Sequence, residues 1–288
     1  MARIADLLAA GRTFSFEFFP PKTDAEQAAL VRTLRGLEPL EPSFVSVTYR
    51  GGRSSRVRTV GLVAGMLTTT SLTPMAHLIC VAHTRLELAE ILVDLRRAGV
   101  ENLMALGGDP VPGEDPGELL YAVELVELAR AIGGFSIGVA AHPQVHPNSP
   151  DRASDRRHLA QKLALADFAI TQFFWRSVDY VRMVEELADL GCTKPVLPGV
   201  MPLTSLASVP RMAQMGGPVP AEVLARFDGV APDDIRAVGI DVMTGLCGDL
   251  LDAGAPGLHF YTLNQSRATR EIYQNLGLGP ARSDDPAA

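Results

Sequence analysis

The stretch Phe14-Ser15-Phe16-Glu17-Phe18-Phe19-Pro20-Pro21-Lys22 decides the fold, because it sets one carboxylate inside a run of aromatic residues. Four phenylalanines in six residues predict a buried β-strand, and the two prolines end it. Alternation along the strand places three of the phenylalanines on one face and Ser15 with Glu17 on the other. The sequence therefore predicts a strand with one covered apolar face and an acid on the opposite face.

Glu17 is the first candidate for chemistry. Burial disfavours the charged form of a carboxyl group, so we expect the pKa of Glu17 to be raised. An acid that keeps its proton near neutral pH can act as a general acid. The alternative is a structural ion pair between Glu17 and an arginine across the sheet.

Composition excludes several classes of protein. The 288 residues are 47% apolar and carry a net charge of −7, which argues against binding to nucleic acid or to an anionic membrane. Cys80, Cys192 and Cys247 lie far apart and predict neither disulfides nor a zinc site. We find no signal segment and no apolar run of membrane-spanning length, and we expect a soluble cytoplasmic protein without a metal.

Short apolar strands alternate with helices along the whole chain. The predicted strands are 14–19, 44–48, 75–81, 102–106, 136–140, 168–172, 196–200 and 258–261. Near-continuous apolar runs of this kind are typical of strands covered on both faces, and eight such units predict a single-domain (β/α)₈ TIM barrel. We assign the barrel to residues 1–278 and a loose tail to 279–288. A doubly wound open sheet is the alternative, but no G-x-G-x-x-G fingerprint is present.

Helix signals lie between the strands. Thr23 with Glu26 and Thr84 with Glu87 have the spacing of capping boxes. Further helices are predicted at 53–67, 151–166, 177–190, 233–251 and 266–276, and one ends near Gly133.

The carboxyl ends of the predicted strands carry aromatic residues, prolines and single polar groups. In a barrel these ends build the active site, and this mixture suits a planar, partly apolar ligand. Taken singly, Asp109 fits a turn, and Gln172 and His77 fit hydrogen-bonded core positions. A basic cluster (Arg50, Arg53, Arg56 and Arg58) follows the second strand and is either an anion site or a solvated helix start.

Several blocks together resemble methylenetetrahydrofolate reductase, in that family's order and over nearly the whole chain. They are Phe16-Glu17-Phe18-Phe19-Pro20-Pro21-Lys22, Phe44-Val45-Ser46-Val47-Thr48-Tyr49, Ala76-His77-Leu78, Gly108-Asp109, His146-Pro147, Ile170-Thr171-Gln172-Phe173-Phe174 and His259-Phe260-Tyr261-Thr262-Leu263-Asn264.

The resemblance implies reduction of 5,10-methylenetetrahydrofolate by NADH or NADPH, usually through FAD. It implies that Glu17 donates the proton that opens the imidazolidine ring, and that Asp109 faces the pterin and tunes its reactivity. The implied substrate-binding residues are Gln172, Asp109, Tyr261 and Phe174. The implied cofactor-binding residues are Thr48, His77, Gly108, Tyr121, Ala122, His142, His146 and Lys162.

The chain departs from the family pattern where the flavin would be held. Gly107 stands where the family usually has an arginine, His142 where it often has tyrosine, and Gln265 where an arginine often follows Thr-Leu-Asn. Glycine offers neither charge nor reach toward a phosphate. We therefore predict weak or no FAD binding, with hydride passing directly from the nicotinamide, as in a flavin-poor actinobacterial-type branch of the family.

Two other functions stay open at this point, as does the oligomeric state. One is a folate-binding barrel subunit without turnover. The other is a barrel lyase or aldolase without a redox cofactor, which would need Lys162 as a Schiff-base lysine at a strand end.

Overall fold

The computed structural model describes residues 1–49, 53–109, 113 and 115–278, with the backbone alone for 53–58. The side chains of the basic cluster and the predicted tail at 279–288 lie outside the described residues.

Parallel strands form a nearly closed barrel, which confirms the predicted fold class. The strands are β1 (Thr13–Phe18), β2 (Phe44–Val47), β3 (Pro74–Ile79), β4 (Asn102–Leu106), β5 (Ser136–Ala141), β6 (Phe168–Thr171), β7 (Val196–Leu197), β8 (Gly199–Val200) and β9 (Gly257–Tyr261). Their order in the sheet is β7-β6-β5-β4-β3-β2-β1-β9-β8.

The predicted strand at 196–200 is divided in two at Pro198. Its first half, β7, pairs with β6, and its second half, β8, pairs with β9. Proline has no N–H to give to a ladder, so the break falls at a residue that pairs only through its carbonyl, which accepts from the His259 N–H. The two halves together are the seventh barrel strand in chain order, and β9 is the eighth.

Helices follow the strands and cover the outside of the barrel. They are α1 (Ile4–Ala10), α2 (Asp24–Leu37), α3 (Arg53–Thr69), α4 (Arg85–Arg97), α5 (Ala122–Ile132), α6 (Arg152–Leu165), α7 (Ser177–Asp189), α8 (Val209–Gly216), α9 (Ala221–Leu224), α10 (Ile235–Asp252) and α11 (Arg267–Asn275). Short 3₁₀ turns occur at Glu38–Leu40, Leu206–Ser208, Ala225–Phe227 and Pro232–Asp234. Within the described part of the chain, no helix combines the length and apolarity that crossing a membrane needs.

The two predicted capping boxes differ. The Thr84 box is complete, because Thr84 and Glu87 each accept a hydrogen bond from the other's backbone N–H. At the other site Thr23 accepts from the Glu26 N–H, but the Glu26 carboxylate takes its bond from the N–H of Lys22. The second box is therefore only half formed.

Helix α1 was not predicted, and it covers the amino-terminal end of the barrel. Its first N–H groups, those of Ile4 and Ala5, donate to Asn102 Oδ1 and Ser136 Oγ at the starts of β4 and β5. Ile4 is fully buried against apolar side chains inside the barrel, including Phe44 and Met75. That end of the barrel is therefore closed by packed side chains.

Strand β1 alternates as its sequence predicts. Phe16 and Phe18 are fully buried in the layer between strands and helices, where Phe16 meets the ring of Tyr273. Ser15 and Glu17 point into the barrel. Burying a phenylalanine side chain contributes about 1.5–3 kcal/mol, so the aromatic face fixes the strand and thereby aims the carboxylate inward.

Candidate functional site

A cavity of about 220 Å³ opens at the carboxyl end of the barrel strands. It brings together Glu17, His77, His142, Gln172 and Tyr261 from the residues predicted from sequence. The rest of its lining is Phe19, Met104, Leu106, Ala140, Ile170, Phe173, Met201, Met215 and Leu263. A few polar groups thus converge inside an apolar wall, which is the usual make-up of a small-molecule site.

Glu17 lies at the bottom of this cavity, only 9% exposed. Its Oε2 is 3.4 Å from His259 Nε2 and 3.5 Å from His77 Nε2, and it accepts a 3.4 Å hydrogen bond from the Ser46 hydroxyl. Two histidines therefore stand where the structural alternative expected an arginine. We call Glu17, Ser46, His77, His259 and Tyr261 the cavity floor.

The prediction of a raised pKa for Glu17 is wrong in this structure. Burial raises the pKa of Glu17. The hydrogen bond with His259 and the positive charge that His77 and His259 carry when protonated lower it, and together they outweigh the effect of burial. The result is a pKa below the ordinary value of a glutamate. The pKa of His77 is lowered too, chiefly by burial. The proton chemistry of this floor therefore belongs to the acid and its imidazole neighbours together.

The Thr-Leu-Asn segment after β9 holds the carboxyl end of β1. Thr262 Oγ1 donates to the Glu17 carbonyl at 2.6 Å, while Asn264 accepts from the Phe19 N–H and donates to the Phe19 carbonyl. To make these contacts, Leu263 and Asn264 adopt left-handed backbone angles, with φ of 51° and 59°. Such angles cost free energy outside glycine. The motif is thus a clamp that fixes the position of Glu17.

Tyr261 and Gln172 flank the carboxylate. Tyr261 donates its hydroxyl to the Thr171 carbonyl at 2.6 Å, which fixes the ring, and Phe173 meets that ring edge to face. Gln172 accepts from the Phe173 N–H through Oε1. An amide so held presents its NH₂ group as a donor, which suits recognition of a heterocycle edge.

Phe174 lies outside the cavity lining. It is almost fully buried in the layer between strands and helices and stacks on Tyr180, with ring centroids 6.2 Å apart. Its neighbour Phe173 lines the cavity instead. Successive residues after a strand point to opposite sides, and the sequence pattern alone did not show which of the two faced inward.

The loop after β5 holds a pair of histidines. The rings of His142 and His146 meet edge to face with centroids 4.5 Å apart. Burial, with a smaller contribution from His146, lowers the pKa of His142 to about 4. Lys162 reaches back from α6 and donates to the Ala140 carbonyl at 2.9 Å, and burial lowers its pKa.

Arg156 braces the same loop and was missed by the sequence analysis. Only 2% exposed, it forms ion pairs with Asp155 and Glu186. Its remaining N–H groups donate to three successive carbonyls of the loop, those of His142, Pro143 and Gln144. A signal existed in the sequence, since Arg156 follows the helix cap Asp151 by five residues, but nothing local showed that it turns inward.

The other predicted cofactor contacts, Thr48, Gly108, Tyr121 and Ala122, lie outside the cavity lining. So does Asp109, which was predicted as a catalytic and substrate-binding residue. We call these five residues the cavity rim. Tyr121 is 68% exposed, Gly108 and Asp109 are exposed, and Thr48 is half-buried. His146 and Lys162 also lie behind the lining and contact it through His142 and Ala140.

Gly108 needs to be glycine. Its φ of +84° lies in the left-handed region, and a Cβ there would come within 2.6 Å of the Val81 side chain. The neighbouring Gly107 is different, because an added Cβ would meet its nearest atoms, the Leu120 carbonyl oxygen and the Ala122 nitrogen, at 3.8 and 3.9 Å. A Cβ would therefore fit at position 107.

The described residues do not fit the diphosphate of the flavin that the resemblance implies. A diphosphate needs cationic partners with N–H groups to spare. Behind the β5 side of the cavity, Arg156 is saturated by two carboxylates and three carbonyls, so of these two cations Lys162, which gives one of its three N–H groups to the Ala140 carbonyl, alone has donors to spare. Gly107 adds no charge.

Comparison with known proteins gives a family. The family described as "Methylenetetrahydrofolate reductase" matches residues 3–277. The chain is 34% identical to "5,10-methylenetetrahydrofolate reductase" of Escherichia coli strain K12, over 92% of this chain and 91% of that one. It is 32% identical to "Methylenetetrahydrofolate reductase (NADH) 1" of Arabidopsis thaliana, over 96% of this chain and 50% of that one.

Solved structures share the fold at low sequence identity. An uncharacterised Clostridium thermocellum protein, whose description says that it binds two copies of 5-methyl-5,6,7,8-tetrahydrofolic acid, matches with a TM-score of 0.64 at 10% identity, covering 95% of this chain and 98% of that one. Yersinia pestis DHPS with a pterine-sulfa conjugate matches with a TM-score of 0.53 at 12% identity, covering 93% of each chain. These two likenesses concern the barrel fold alone.

Proposed function

The chain belongs to the methylenetetrahydrofolate reductase family and is an oxidoreductase of that type, and we propose that it reduces 5,10-methylenetetrahydrofolate to 5-methyltetrahydrofolate with a reduced nicotinamide as hydride donor. The observation that carries the proposal is the position of Glu17, a buried carboxylate at the bottom of an apolar cavity beside Gln172 and Tyr261. The name of the Arabidopsis relative favours NADH over NADPH.

The reaction needs one proton and one hydride. Glu17 donates its proton to the departing nitrogen of the imidazolidine ring, whose C–N bond breaks to leave an iminium on the other nitrogen. Hydride from the dihydronicotinamide then adds to the iminium carbon, giving the methyl group and oxidised nicotinamide. A positioned general acid contributes typically 10²–10⁴-fold to such a step.

Glu17 must acquire its proton although its pKa is below the ordinary value in this structure. A folate lying over the carboxylate excludes water, and further desolvation favours the protonated form. The lowered pKa of His77 helps, because a neutral imidazole does not hold the carboxylate ionised. Proton uptake by Glu17 is thereby coupled to substrate binding.

The residues around Glu17 orient the folate. Gln172 presents donor and acceptor groups to the pterin edge, and the fixed rings of Tyr261 and Phe173 form the wall on which a planar group packs. Asp109, exposed on the rim after β4, faces the pterin from the open side.

We propose that FAD binds weakly or not at all and that hydride passes directly from nicotinamide to folate. Support comes from Arg156, whose N–H groups are all engaged behind the β5 side of the cavity, and from glycine at position 107. A nicotinamide ring is smaller than a flavin and would stack in the space above Glu17, between the floor and the histidine pair after β5.

The two alternative functions have less support. The lyase alternative needs Lys162 at a strand end, yet Lys162 lies on α6 and its Nζ donates to the Ala140 carbonyl. The non-catalytic alternative gives no reason for the clamp that the Thr-Leu-Asn segment forms around Glu17.

Glu17→Gln tests the acid role. The variant keeps the shape and loses the proton, so we expect folate-dependent NADH oxidation to fall by roughly 10²–10⁴-fold. Glu127→Gln, which removes an exposed carboxylate on α5, is the control for the loss of one charge and should keep full activity. Near wild-type turnover in Glu17→Gln would show that the acid is another group.

Deuterium tracing tests the direct transfer. With NADH deuterated at the transferred position of C4, direct transfer places the deuterium in the 5-methyl group of the product. If a flavin carried the hydride, exchange at its N5 would wash out much of the label. The visible spectrum after incubation with FAD and dialysis reports binding independently, and persistent flavin bands would contradict weak binding.

A further inference from the structure

His259 is a fully buried residue of the cavity floor and has contacts at both ring nitrogens. It is fully buried on β9, where strand register places it beside Ser15 of β1. Its Nδ1 is 2.7 Å from Ser15 Oγ, and its Nε2 is 3.4 Å from Glu17 Oε2. Ser15 and Glu17 share one face of β1, so the imidazole bridges a hydroxyl to the carboxylate.

The hydrogen of the Ser15 hydroxyl decides what His259 can do. A neutral imidazole has one donor nitrogen and one acceptor nitrogen. If Ser15 donates to Nδ1, the hydrogen of His259 lies on Nε2 and is donated to an ionised Glu17. If Ser15 instead donates to the Leu258 carbonyl, 3.4 Å away, Nδ1 donates to Ser15 and Nε2 becomes an acceptor.

In the second arrangement Glu17 must be protonated to make its contact with His259. An ionised carboxylate would place two acceptors against each other inside a buried site, which is costly. The direction of the Ser15 hydroxyl is therefore coupled to the protonation of Glu17. Ser15 and His259 are both neutral in the two arrangements.

Other groups around His259 do not impose either arrangement. Phe44 of β2 stacks on the ring, and Ser46 of β2 has its hydroxyl 3.5 Å from Nε2. Tyr261 of β9 meets the ring edge to face with its hydroxyl bound to Thr171, and His77 of β3 has its Nε2 3.5 Å from Glu17 Oε2, the oxygen that His259 also approaches.

We propose that Ser15 and His259 are positioning residues that set the proton affinity of Glu17, with the Ser15 hydroxyl selecting the His259 tautomer. This rests on the proposed function of Glu17 as the acid. The tautomer with hydrogen on Nε2 stabilises the ionised carboxylate, and the tautomer with hydrogen on Nδ1 stabilises the protonated carboxyl that opens the folate ring.

The pH profile of kcat at saturating folate and NADH tests the proposal, because its descending limb follows the loss of the Glu17 proton. Ser15→Ala removes the partner of Nδ1 in both arrangements. A hydrogen on Nδ1 would then be a buried donor without an acceptor, whereas a hydrogen on Nε2 is still accepted by Glu17, so the imidazole keeps its hydrogen on Nε2 and holds Glu17 ionised. We expect the limb to move to lower pH by about one unit. His259→Leu removes the donor to the carboxylate, and burial should then move the limb to higher pH by about one unit.

Ser136→Ala is the matched control. Ser136 is also a buried strand serine, but its hydroxyl oxygen accepts from Ala5 at the other end of the barrel. In Ser136→Ala the descending limb of the pH profile of kcat should keep its wild-type midpoint. Should His259→Leu fail to fold, Ser15→Ala, which removes only an oxygen, carries the test alone.

Opposite shifts in the two variants, with an unmoved control, support the proposal. A uniform loss of kcat at all pH values, or shifts in the same direction, overturns it. A different result would contradict the proposed function itself, namely full activity in Glu17→Gln. Loss of turnover in Glu17→Gln together with unshifted Ser15→Ala and His259→Leu profiles would remove only the role of the Ser15–His259 pair.

Discussion

The cavity floor and the cavity rim lie within one barrel but are built differently. Floor residues stand on strands, are buried, and are held by several strands at once, as Glu17 is by β2, β3 and β9. Rim residues stand on connecting loops, except Ala122 at the start of α5, and Tyr121 and Asp109 among them are exposed. Under the proposed function, the difference means that the barrel itself fixes the acid, while the choice of hydride donor falls to loops that can change without disturbing it.

The largest effect should come from replacing Arg156, which is buried and held by several contacts, as the floor residues are. Arg156→Met removes the buried side chain that holds the loop after β5 and leaves Asp155 without its buried cation. We expect a loss of about 3–5 kcal/mol in the free energy of unfolding, because an uncompensated buried charge remains. Urea unfolding measures it.

Arg182→Met is the control for that prediction. Arg182 and Arg156 both pair with Glu186, but Arg182 is largely exposed. The loss of Arg182 should therefore cost at most about 1 kcal/mol in the free energy of unfolding. Similar losses in the two variants would contradict the bracing role of Arg156.

A smaller effect should come from the wall of the cavity. Gln172→Ala removes the amide and leaves pterin groups without partners, so we expect the KM for folate to rise by roughly tenfold to a hundredfold. Turnover at saturating folate should change less, since Glu17 is untouched. Gln161→Ala, an exposed amide on α6, is the control, and an unchanged KM in Gln172→Ala would exclude the contact.

Much of the fold and part of the candidate site could be predicted from the sequence, and the wrong predictions have physical causes. Apolar runs marked the strands because both faces are covered, and the alternation in β1 correctly aimed Glu17 into the barrel. The pKa of Glu17 was predicted wrongly because its partner His259 is 242 positions away and reaches it only when β9 pairs with β1.

Other misses share that origin. Helix α1 is a short segment whose stability comes from closing the barrel end, which local periodicity does not reveal. Arg156 is recognisable as a brace only once the loop carbonyls surround it. For Phe173 and Phe174, adjacent aromatics gave no local sign of which one faces the cavity.

Adding a positive charge at position 107, next to the rim residue Gly108, tests whether a missing cation limits FAD binding. Position 107 has room for a Cβ, and a charge-assisted contact from Gly107→Arg to phosphate would contribute about 1.5–3 kcal/mol. We expect FAD to bind roughly tenfold to a hundredfold more tightly, as measured by flavin fluorescence quenching. Gly107→Gln, similar in reach but neutral, should gain little. Equal gains in the two variants would show that charge is not what the rim lacks.

The last effect is confined to acid pH and concerns His142, which belongs to the cavity lining but stands on a loop. Burial lowers its pKa to about 4, below the ordinary value near 6.5 of an unfolded chain. Between those two values the unfolded state binds the proton and the folded state does not, so stability falls as pH decreases through this window. His142→Gln cannot titrate and should flatten this part of the profile of unfolding free energy against pH. The exposed His158 on α6 is the control, and His158→Gln should leave the slope unchanged. An equal slope in wild type and His142→Gln would mean that the loop after β5 opens and solvates the ring in acid, which would place His142 with the rim rather than with the floor.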